Sequence, residues 1–481
     1  MKGKVNKYLV KISEDLKPHQ KDALKKLKEQ GGVILDHSTG SGKTLSFLKA
    51  VENLHKDKNK KALIIAPASL QTNVDKEIKH HNLKIDPSRL KVLSYTKAVN
   101  QINELHSQNY DLIIADESHN LRNLKTKRSK ELTELITNAP QRMLATATMQ
   151  YNKPSDIAPL LNMAHGKRVI VEDPKAFEKR YLEVHKDAPS LLKRILGGKL
   201  KVETKLKNED ELQEIMEPVV SHYDSKKDPE FLEHFPSKTE KVVEVEMSPE
   251  QQQVYKYMEG QLPWAVRMKV RANLPLDKRE AAKLNSFSTA VRQASNSTSV
   301  FYPKMQKVTP KIHAAVKSLV ESANKDKNFR GLVYSNYKEA GVNDYSKELT
   351  KAGIPHEVFN GELNKTEKDE MVKRFNAGKT KALLITSAGG EGLDLKGVKK
   401  IQILEPSWNA SKITQVIGRG VRYNSHAHLP KSERKVEVEH YHSIFPKGIF
   451  GQPGPHSIDQ YLAENSIQKD KLNDKIKDLL Q

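Results

Sequence analysis

The sequence predicts an α/β protein of two lobes, each a parallel sheet flanked by helices, with helical insertions and a C-terminal helix. The chain has 481 residues, which is too long for one ordinary hydrophobic core. Short apolar segments alternate with helix-length stretches in both halves of the chain and thin out between them. This distribution is typical of two separate parallel sheets rather than one continuous sheet.

Ten short apolar segments are the predicted strands. Each is followed by a loop rich in Gly, Ser, Thr or Asp, or by a stretch long enough for a helix, so that neighbouring strands are expected to run parallel. The first sheet is predicted from segments 33–35, 62–65, 91–93, 112–115 and 143–145, and the second from 331–334, 356–359, 382–385, 400–404 and 436–441.

The boundaries follow from where these segments lie. We expect the first lobe at 1–171, helical insertions with the interlobe connection at 172–308, the second lobe at 309–456 and a C-terminal helix at 457–481. The last segment carries widely spaced apolar residues among charges, so it is expected to pack onto a lobe as an amphipathic helix, with a partner-binding tail as the alternative.

The chain is strongly basic. It has 82 Lys and Arg residues against 60 Asp and Glu residues, a formal net charge of +22. Such an excess favours a polyanionic partner through counterion release and electrostatic steering. Nucleic acid is the first candidate, while acidic proteins and anionic lipid stay open on charge alone.

Cysteine is absent, which excludes a disulfide framework, Cys-ligated zinc and thiol catalysis. The N-terminus has lysines but no apolar signal core, and no apolar stretch approaches the length needed to cross a bilayer. We therefore expect a soluble, cytoplasmic protein with no membrane partner.

The segment after strand 33–35 has the composition of a phosphate-binding loop. It reads Asp-His-Ser-Thr-Gly-Ser-Gly-Lys-Thr over residues 36–44. Glycines let backbone amides turn toward phosphate oxygens, Lys43 can offset charge on the β and γ phosphates, and the Thr44 hydroxyl can ligate magnesium. His37 replaces the first glycine of the strict pattern, so a polar turn is the alternative. The predicted nucleotide-binding residues are Thr39, Gly40, Ser41, Gly42, Lys43 and Thr44.

An acidic pair follows strand 112–115. Asp116 can hold magnesium through water, and Glu117 can orient or deprotonate an attacking water. A helix N-cap is the alternative for such a pair on its own. The phosphate-binding loop upstream in the same lobe favours an ATPase site, with Lys43, Asp116 and Glu117 as its catalytic residues.

Two motifs in the second half complete the candidate site. Strand 382–385 leads into a glycine-rich turn, residues 386–395, whose backbone amides can approach phosphates. Further on, Arg419 and Arg422 are three residues apart and share a helix face, where guanidinium groups can stabilise charge developing on a transferred phosphate.

Together these motifs resemble the Swi/Snf-type branch of the superfamily-two helicases, and residues 116–119 resemble their DExH box. The resemblance implies two RecA-like lobes and a motif with the catalytic residues Gln415, Arg419 and Arg422, of which the two arginines are arginine fingers. It also implies base contact by Gln20, ribose contact by Asp394 beside Gly392, and coupling of the nucleotide site to the cleft by His119.

The same resemblance implies a set of nucleic-acid contacts. An ordinary strand-end loop, a helix cap or a solvated helix face is the alternative for several of them. The implied residues are Pro67, Ser69, Thr72, Asn73, Ser94, Tyr95 and Arg122 in the first lobe, and Ser335, Asn336, Thr386, Gly389 and Gly390 in the second.

The leading hypothesis is an ATP- and magnesium-dependent DNA translocase on duplex or branched DNA. RNA translocation or unwinding is the enzymatic alternative, and a clamp that binds ATP without turnover is a different class. Segment 422–438 is similar to poxvirus nucleoside triphosphate phosphohydrolases, which suggests a viral or phage origin. A polymerase or a replication or recombination protein is a further possible partner.

Overall fold

The structure is a computed structural model of the whole chain. It describes residues 16–38, 40–67, 71–146, 153–187, 201–302, 308–386, 393–408, 410–448 and 451–480. Within these ranges, no helix is both long and apolar enough to cross a bilayer.

The first lobe contains a six-stranded parallel sheet. Five of its strands match predicted segments, and the sixth comes from beyond the predicted lobe boundary at residue 171. The strands are β1 (Gly32–His37), β2 (Ala62–Ile65), β3 (Leu90–Leu93), β4 (Leu112–Asp116), β5 (Gln141–Thr146) and β8 (Val220–Tyr223), in the spatial order β3-β2-β4-β5-β1-β8.

The second lobe contains another six-stranded parallel sheet, so the predicted fold class of two parallel sheets flanked by helices is confirmed. Again five strands match predicted segments. The strands are β9 (Ser237–Glu246), β10 (Gly331–Ser335), β11 (His356–Phe359), β12 (Ala382–Thr386), β13 (Lys400–Ile403) and β14 (Lys435–Ile444), in the order β11-β12-β10-β13-β14-β9.

Helices connect and cover the strands. The first part of the chain has α1 (Pro18–Gln30), α2 (Lys43–Leu54), α3 (Gln71–His80), α4 (Tyr95–Asn100), α5 (Ile102–Ser107), α6 (Lys127–Thr137), α7 (Ile157–His165) and α8 (Pro174–Tyr181). The remainder has α9 (Glu209–Met216), α10 (Pro229–Leu232), α11 (Pro249–Gly260), α12 (Trp264–Arg271), α13 (Lys278–Asn296), α14 (Pro310–Lys325), α15 (Asp344–Lys351), α16 (Lys365–Asn376), α17 (Ala410–Gly420) and α18 (Ile458–Asp478).

Each sheet is apolar on both faces because helices cover both. In β1, Val33 and Leu35 pack with α1 and α2, whereas Ile34 between them packs on the opposite side with α6 and α7. In the second lobe, α16 and α17 cover one face and α14 and α15 the other. Successive side chains of a strand point to opposite faces, so strands buried on both sides are continuous apolar runs. Such runs made these strands predictable.

Segment 172–308 contains strands that the sequence did not predict. Two of them, β6 (Leu182–Asp187) and β7 (Lys201–Leu206), form an antiparallel pair. The other two, β8 and β9, each add an edge strand to one of the main sheets. The segment is therefore not only helical, and its polar strands were missed because an edge strand needs no continuous apolar run.

The C-terminal helix α18 packs against helices α11 to α13 and against the first lobe. Near its start, Tyr461 and Leu462 are buried among α11, α12 and α13. Near its end, Ile476 is buried in the core of the first lobe. Between these ends, Ile467 is 55% exposed. The helix is thus held at its two ends by different parts of the molecule.

A buried ion pair fixes the start of α18. The ammonium of Lys311, in α14, lies 2.8 Å from a carboxylate oxygen of Asp459, and both side chains are fully buried. The same carboxylate accepts hydrogen bonds from the Ser295 hydroxyl and the Ser443 backbone amide. Removing one partner of such a pair would leave an uncompensated buried charge, so it ties α18 to the second lobe.

Candidate functional site

The predicted phosphate-binding loop connects β1 to α2. Gly40 and Gly42 have φ angles of 81° and 82°, which side-chain-bearing residues rarely adopt. A Cβ atom on Gly42 would lie 2.6 Å from the side-chain nitrogen of Gln20. The loop therefore requires glycine at this position both for its backbone conformation and for its contact with α1.

Lys43 begins α2 and turns its ammonium back into the loop. The ammonium donates hydrogen bonds to the carbonyl oxygens of His37 (2.7 Å) and Ser38 (3.2 Å). Burial lowers the pKa of Lys43, while the carboxylates of Glu117 and Asp116 oppose that shift. Lys43 thus lies within electrostatic reach of both acidic residues.

Gln20 and His19 support the loop from α1. The Gln20 side chain accepts a hydrogen bond from the Lys17 amide and donates one to the Gly42 carbonyl (3.2 Å). The His19 ring nitrogen Nε2 lies 3.0 Å from the Ser41 carbonyl oxygen. Gln20 therefore lies beside the loop, where the sequence implied a contact with the base.

His37, the residue that departs from the glycine pattern, directs its ring away from the loop. Its Nε2 atom lies 3.1 Å from the hydroxyl of Ser221 in β8, and the side chain is fully buried. Burial lowers the pKa of His37 to about 2, so the imidazole is neutral at physiological pH. A histidine is tolerated here because the loop uses its backbone carbonyl and not its side chain.

The loop has the donors that a triphosphate needs. The Ser41 hydroxyl is buried and has no hydrogen-bond partner among the described residues. The first turn of α2 also presents backbone amides and the positive end of the helix dipole. Thr44, in the same turn, is partly exposed, and Thr39 lies outside the described residues. Together with Lys43, these groups fit the phosphates of ATP.

Asp116 and Glu117 lie at the carboxyl end of β4. The Glu117 amide donates a hydrogen bond to the Asp116 carboxylate (3.0 Å), and Glu117 has a φ of 52°. Left-handed backbone at a non-glycine residue stores strain of about 1 kcal/mol or more and clusters at functional sites. The acidic pair is therefore held in a backbone conformation that an ordinary helix cap does not require.

The two carboxyl groups have opposite pKa shifts. Burial raises the pKa of Asp116 to about 7, and the neighbouring Glu117 carboxylate adds to this increase. Burial acts to raise the pKa of Glu117 too, but the hydrogen bond to His119 and the charges of Lys43 and Arg419 lower it overall. Glu117 is thus ionised at neutral pH, as a proton acceptor must be.

His119 connects the acidic pair to the next strand. Its Nδ1 atom lies 3.2 Å from a Glu117 carboxylate oxygen and 3.3 Å from the Thr146 hydroxyl at the end of β5. His119 thus contacts both the acidic pair and the end of β5, and its implied role in coupling the nucleotide site to the cleft remains a prediction.

Tyr95 lies inside the lobe. Its side chain is buried, and its hydroxyl donates a 2.7 Å hydrogen bond to the backbone carbonyl of Asp116. Burial raises its pKa well above the ordinary value. In this conformation Tyr95 positions the acidic pair, and the contact with nucleic acid that the sequence implied remains a prediction.

Replacement of Tyr95 by phenylalanine separates these two roles. We expect the free energy of unfolding to fall by about 1 kcal/mol, as for loss of one buried hydrogen bond. We also expect kcat for ATP hydrolysis to fall about tenfold, because the Asp116 carbonyl loses its anchor, with nucleic-acid affinity unchanged. Denaturant titration, steady-state hydrolysis and equilibrium binding measure the three quantities. A loss of affinity with unchanged kcat would support the nucleic-acid role instead.

The other implied nucleic-acid residues of the first lobe are placed as follows. The Ser94 hydroxyl caps α4 by accepting a hydrogen bond from the Lys97 amide. Arg122 donates to the His119 carbonyl (2.6 Å) and lies 3.8 Å from Asp156. Pro67 follows β2 and is partly exposed. Ser69 and the side chains of Thr72 and Asn73 lie outside the described residues.

In the second lobe, the two predicted arginine fingers have different contacts. The Arg422 guanidinium donates to the Leu393 carbonyl (3.0 Å) and lies 3.8 Å from the carboxylate of Asp394, which is about half exposed. Arg419, in α17 with Gln415, is close enough to the first lobe for its charge to lower the pKa of Glu117. The structure thus brings Arg419 toward the acidic pair across the cleft.

Three further predicted residues of the second lobe lie at the carboxyl edge of its sheet. Ser335 is fully buried and its hydroxyl donates to the Glu405 carboxylate (3.1 Å). Asn336 follows it and is partly exposed, and Thr386 is buried at the end of β12. Gly389, Gly390 and Gly392 lie outside the described residues.

The lobes meet directly above the phosphate-binding loop. A Cβ atom on Gly40 would lie 3.7 Å from the Phe235 ring and 3.8 Å from the Tyr423 side chain. The Lys17 ammonium also lies 5.9 Å from the centre of the Tyr423 ring. Sequence reasoning missed Phe235 and Tyr423 because no motif marks them, although Tyr423 directly follows Arg422.

The sequence matches two known family models. A model described as the SNF2-related domain matches residues 19–306, more than half of the chain, and the helicase conserved C-terminal domain matches residues 311–424. The chain belongs to the SNF2-related helicases. This SNF2-related protein therefore has the RecA-like lobes implied by its motifs, and it is a nucleic-acid-dependent ATPase.

Named relatives include several viral proteins. The SNF2-related chain is 30% identical to a protein of Acanthamoeba polyphaga mimivirus called "Putative ATP-dependent RNA helicase L538", covering 95% of this chain and 94% of that protein. It is 24% identical to an African swine fever virus protein called "Termination factor NPH-I homolog", covering 94% and 75%. These matches bear out the predicted similarity to viral members of the group.

A solved structure supports the fold. The helicase domain of Hef from Pyrococcus furiosus aligns with a TM-score of 0.50 at 16% identity, covering 90% of this chain and 96% of that one. At this identity the likeness concerns the fold of the SNF2-related chain and not its substrate.

Proposed function

We propose that this protein is an ATP- and magnesium-dependent translocase that moves along duplex or branched DNA. The observation that carries the proposal is the composite site: a Cβ atom on Gly40 of the loop would lie 3.8 Å from Tyr423 of the second lobe, and Arg419 of that lobe lowers the pKa of Glu117 in the first. A site assembled from two lobes is complete only when they approach one another. Nucleotide binding, hydrolysis and product release therefore change the distance between the lobes, and that cycle moves the protein along its substrate.

The side chains have separate tasks in hydrolysis. Lys43 offsets the negative charge of the bound phosphates. Glu117 accepts a proton from the attacking water while the water oxygen forms a bond to the γ-phosphorus. The bond between the γ-phosphorus and the bridging oxygen breaks, and Arg419 stabilises the charge that develops. Arg422, held by Leu393 and Asp394 in the present conformation, supplies a second guanidinium from the same lobe.

Magnesium fits the oxygen ligands of the site. Asp116 supplies a carboxylate and Thr44 a hydroxyl, which suit a small divalent cation that keeps part of its water shell. Burial and the neighbouring Glu117 carboxylate raise the pKa of Asp116. A divalent cation held there would favour the ionised form of Asp116 and would neutralise phosphate oxygens.

DNA is the preferred substrate because the SNF2-related match extends through the first lobe and the insertion, residues 19–306. The net charge of +22 supports phosphate contacts that are independent of sequence. The RNA alternative is supported by the printed name of the mimivirus relative. Fork or branch remodelling, displacement of bound proteins, a part in repair or recombination, and assistance to a viral RNA polymerase are the candidate outcomes of movement.

Stimulated hydrolysis distinguishes the substrates. Magnesium-dependent ATP hydrolysis is measured without nucleic acid and with single-stranded DNA, duplex DNA, forked DNA or RNA, with Lys43→Ala as the control for contaminating activity. We expect duplex or forked DNA to stimulate hydrolysis most strongly. Stimulation by RNA alone would overturn the substrate assignment, and absence of hydrolysis under every condition would overturn the motor itself.

A further inference from the structure

The amino edge of the second sheet carries a concentration of positive charge. Strands β10, β12, β13 and β14 run parallel, so the segments that precede them meet at this edge. The four segments, 325–330, 378–381, 395–399 and 428–434, contain nine Lys and Arg residues but two carboxylates. Together they form what we call the amino-edge surface. Its excess of positive charge favours a negatively charged partner.

The two carboxylates of the amino-edge surface are already in use. Asp326 and Glu433 lie 2.6 Å and 2.8 Å from the ammonium of the same residue, Lys399. Three other lysines are exposed and have no carboxylate within ion-pair distance in the described ranges: Lys327, Lys379 and Lys431. Within the part of the chain that the structure describes, their charges are therefore not neutralised by acidic side chains.

Arg330 is a partly buried cation of this surface. Its Nη1 atom donates a hydrogen bond to the Lys396 carbonyl (3.0 Å) and lies 3.4 Å from the His428 Nε2 atom. Its Nε atom is buried and has no acceptor among the described residues. No described carboxylate lies within ion-pair distance of Arg330, and burial lowers its pKa. Because a charge that is removed from water is normally paired, this guanidinium is suited to an anion supplied by another molecule.

Two glycines leave space beside the Arg330 guanidinium. A Cβ atom on Gly397 would collide with the Nη1 atom and would lie 3.0 Å from His428 Nε2. A Cβ atom on Gly378 would lie 3.3 Å from the Nη2 atom. Partial burial and the charges of Arg330 and Lys396 lower the pKa of His428, so the field around this space is positive.

The nucleic-acid contacts that the sequence implies lie at the other edge of the sheet. Ser335 and Thr386 are at the carboxyl ends of β10 and β12. A strand of five residues separates the two edges by about 17 Å. A phosphate backbone laid along the amino edge would also bring regularly spaced negative charges next to Asp326 and Glu433. A protein segment can place its carboxylates away from these two residues, so the charge pattern favours an acidic protein partner.

We propose that the amino-edge surface binds an acidic segment of a partner protein, with one carboxylate of that segment held by Arg330. Guanidinium and carboxylate groups match in a two-point contact. The exposed lysines attract the other acidic side chains and speed association. A partner bound here leaves the carboxyl edge of the sheet open, so the protein can carry this partner while it acts on nucleic acid, whether DNA or RNA.

Binding of a fluorescent peptide of alternating glutamate and serine tests the proposal, with the corresponding glutamine peptide as the uncharged control. Anisotropy titrations are made with the full chain, with and without saturating forked DNA. The variants are Arg330→Lys and the double replacement of Lys379→Glu with Lys431→Glu. Lys317→Glu is the matched control, because Lys317 is an exposed lysine of α14 in the same lobe.

For the double replacement we expect the affinity for the glutamate peptide to fall about tenfold at low ionic strength, because two attractions become repulsions. Arg330→Lys should lose about threefold, since lysine keeps the charge but not the two-point contact. Lys317→Glu should stay within about twofold of wild type. Forked DNA should leave the peptide bound, and the double replacement should keep DNA-stimulated hydrolysis.

Four results would each overturn the proposal: equal affinity for the glutamine peptide, wild-type affinity in the double replacement, an equal loss in Lys317→Glu, or displacement of the peptide by forked DNA. Displacement together with weaker DNA binding in the double replacement would assign the surface to nucleic acid instead. The replaced lysines are exposed, and thermal unfolding checks that the variants fold as wild type does. If wild type binds no nucleic acid, the proposed function fails, and peptide binding alone still decides the proposal.

Discussion

Replacing Glu117 by glutamine is expected to reduce kcat for ATP hydrolysis by about 10³-fold while ATP affinity changes little. The glutamine amide has nearly the same size as the carboxylate but cannot accept the proton of the attacking water. Lys43 and the glycines of the loop, which hold the phosphates, are untouched. Single-turnover hydrolysis and equilibrium nucleotide binding measure the two quantities separately.

A companion variant, Glu117→Gly, tests the strain at this position. The φ of 52° costs glycine nothing, so this variant should be about 1 kcal/mol more stable to unfolding than Glu117→Gln, although both are inactive. Equal stability of the two variants would show that the backbone at Glu117 is not strained. Residual activity of Glu117→Gln within tenfold of wild type would show that another group accepts the proton.

Replacing Arg419 by alanine is expected to lower kcat at saturating nucleic acid by about 10³-fold, the usual contribution of an arginine finger. Arg419 belongs to the second lobe, and its positive charge lowers the pKa of Glu117 in the first lobe. ATP affinity should fall much less, because the phosphate-binding loop belongs to the other lobe. Steady-state hydrolysis over a range of ATP concentrations separates the two effects.

The pH dependence of the same variant provides an independent check. Because the charge of Arg419 lowers the pKa of Glu117, its removal raises that pKa. Glu117 must be ionised to accept a proton, so the acidic limb of the rate profile should move to higher pH in Arg419→Ala. An unchanged acidic limb would mean that Arg419 does not reach Glu117 in the active enzyme, and Arg422 would then be the finger.

The predictable parts of the molecule were those with a local signal. Ten strands were predicted because helices cover both faces of each sheet, so the strands are short continuous apolar runs. The loop around Lys43 and the pair at Asp116 were predicted because their chemistry dictates residue type at each position. The positions of β8 and β9 were not predictable, because these polar edge strands are added from segment 172–308.

Contacts between distant segments explain the other differences between the predicted and the observed positions of residues. The sequence implied a contact between Tyr95 and nucleic acid, and only the packed lobe places the Tyr95 hydroxyl on the Asp116 carbonyl. Residues 116–119 and 386–395 could be recognised individually, but the distance between the lobes could not.

The way α18 is anchored restricts how the two lobes can move. Its start is fixed to the second lobe through Lys311 and Asp459, and its end is fixed in the first lobe by Ile476. A helix of 21 residues is a rod of about 31 Å that does not stretch. Direct separation of the lobes would expose Ile476 to water, at a cost of about 2–3 kcal/mol. Rotation of one lobe about the axis of α18 would move that lobe past a side chain of the same rigid helix, so the helix opposes rotation as well as separation and favours the present arrangement of the lobes.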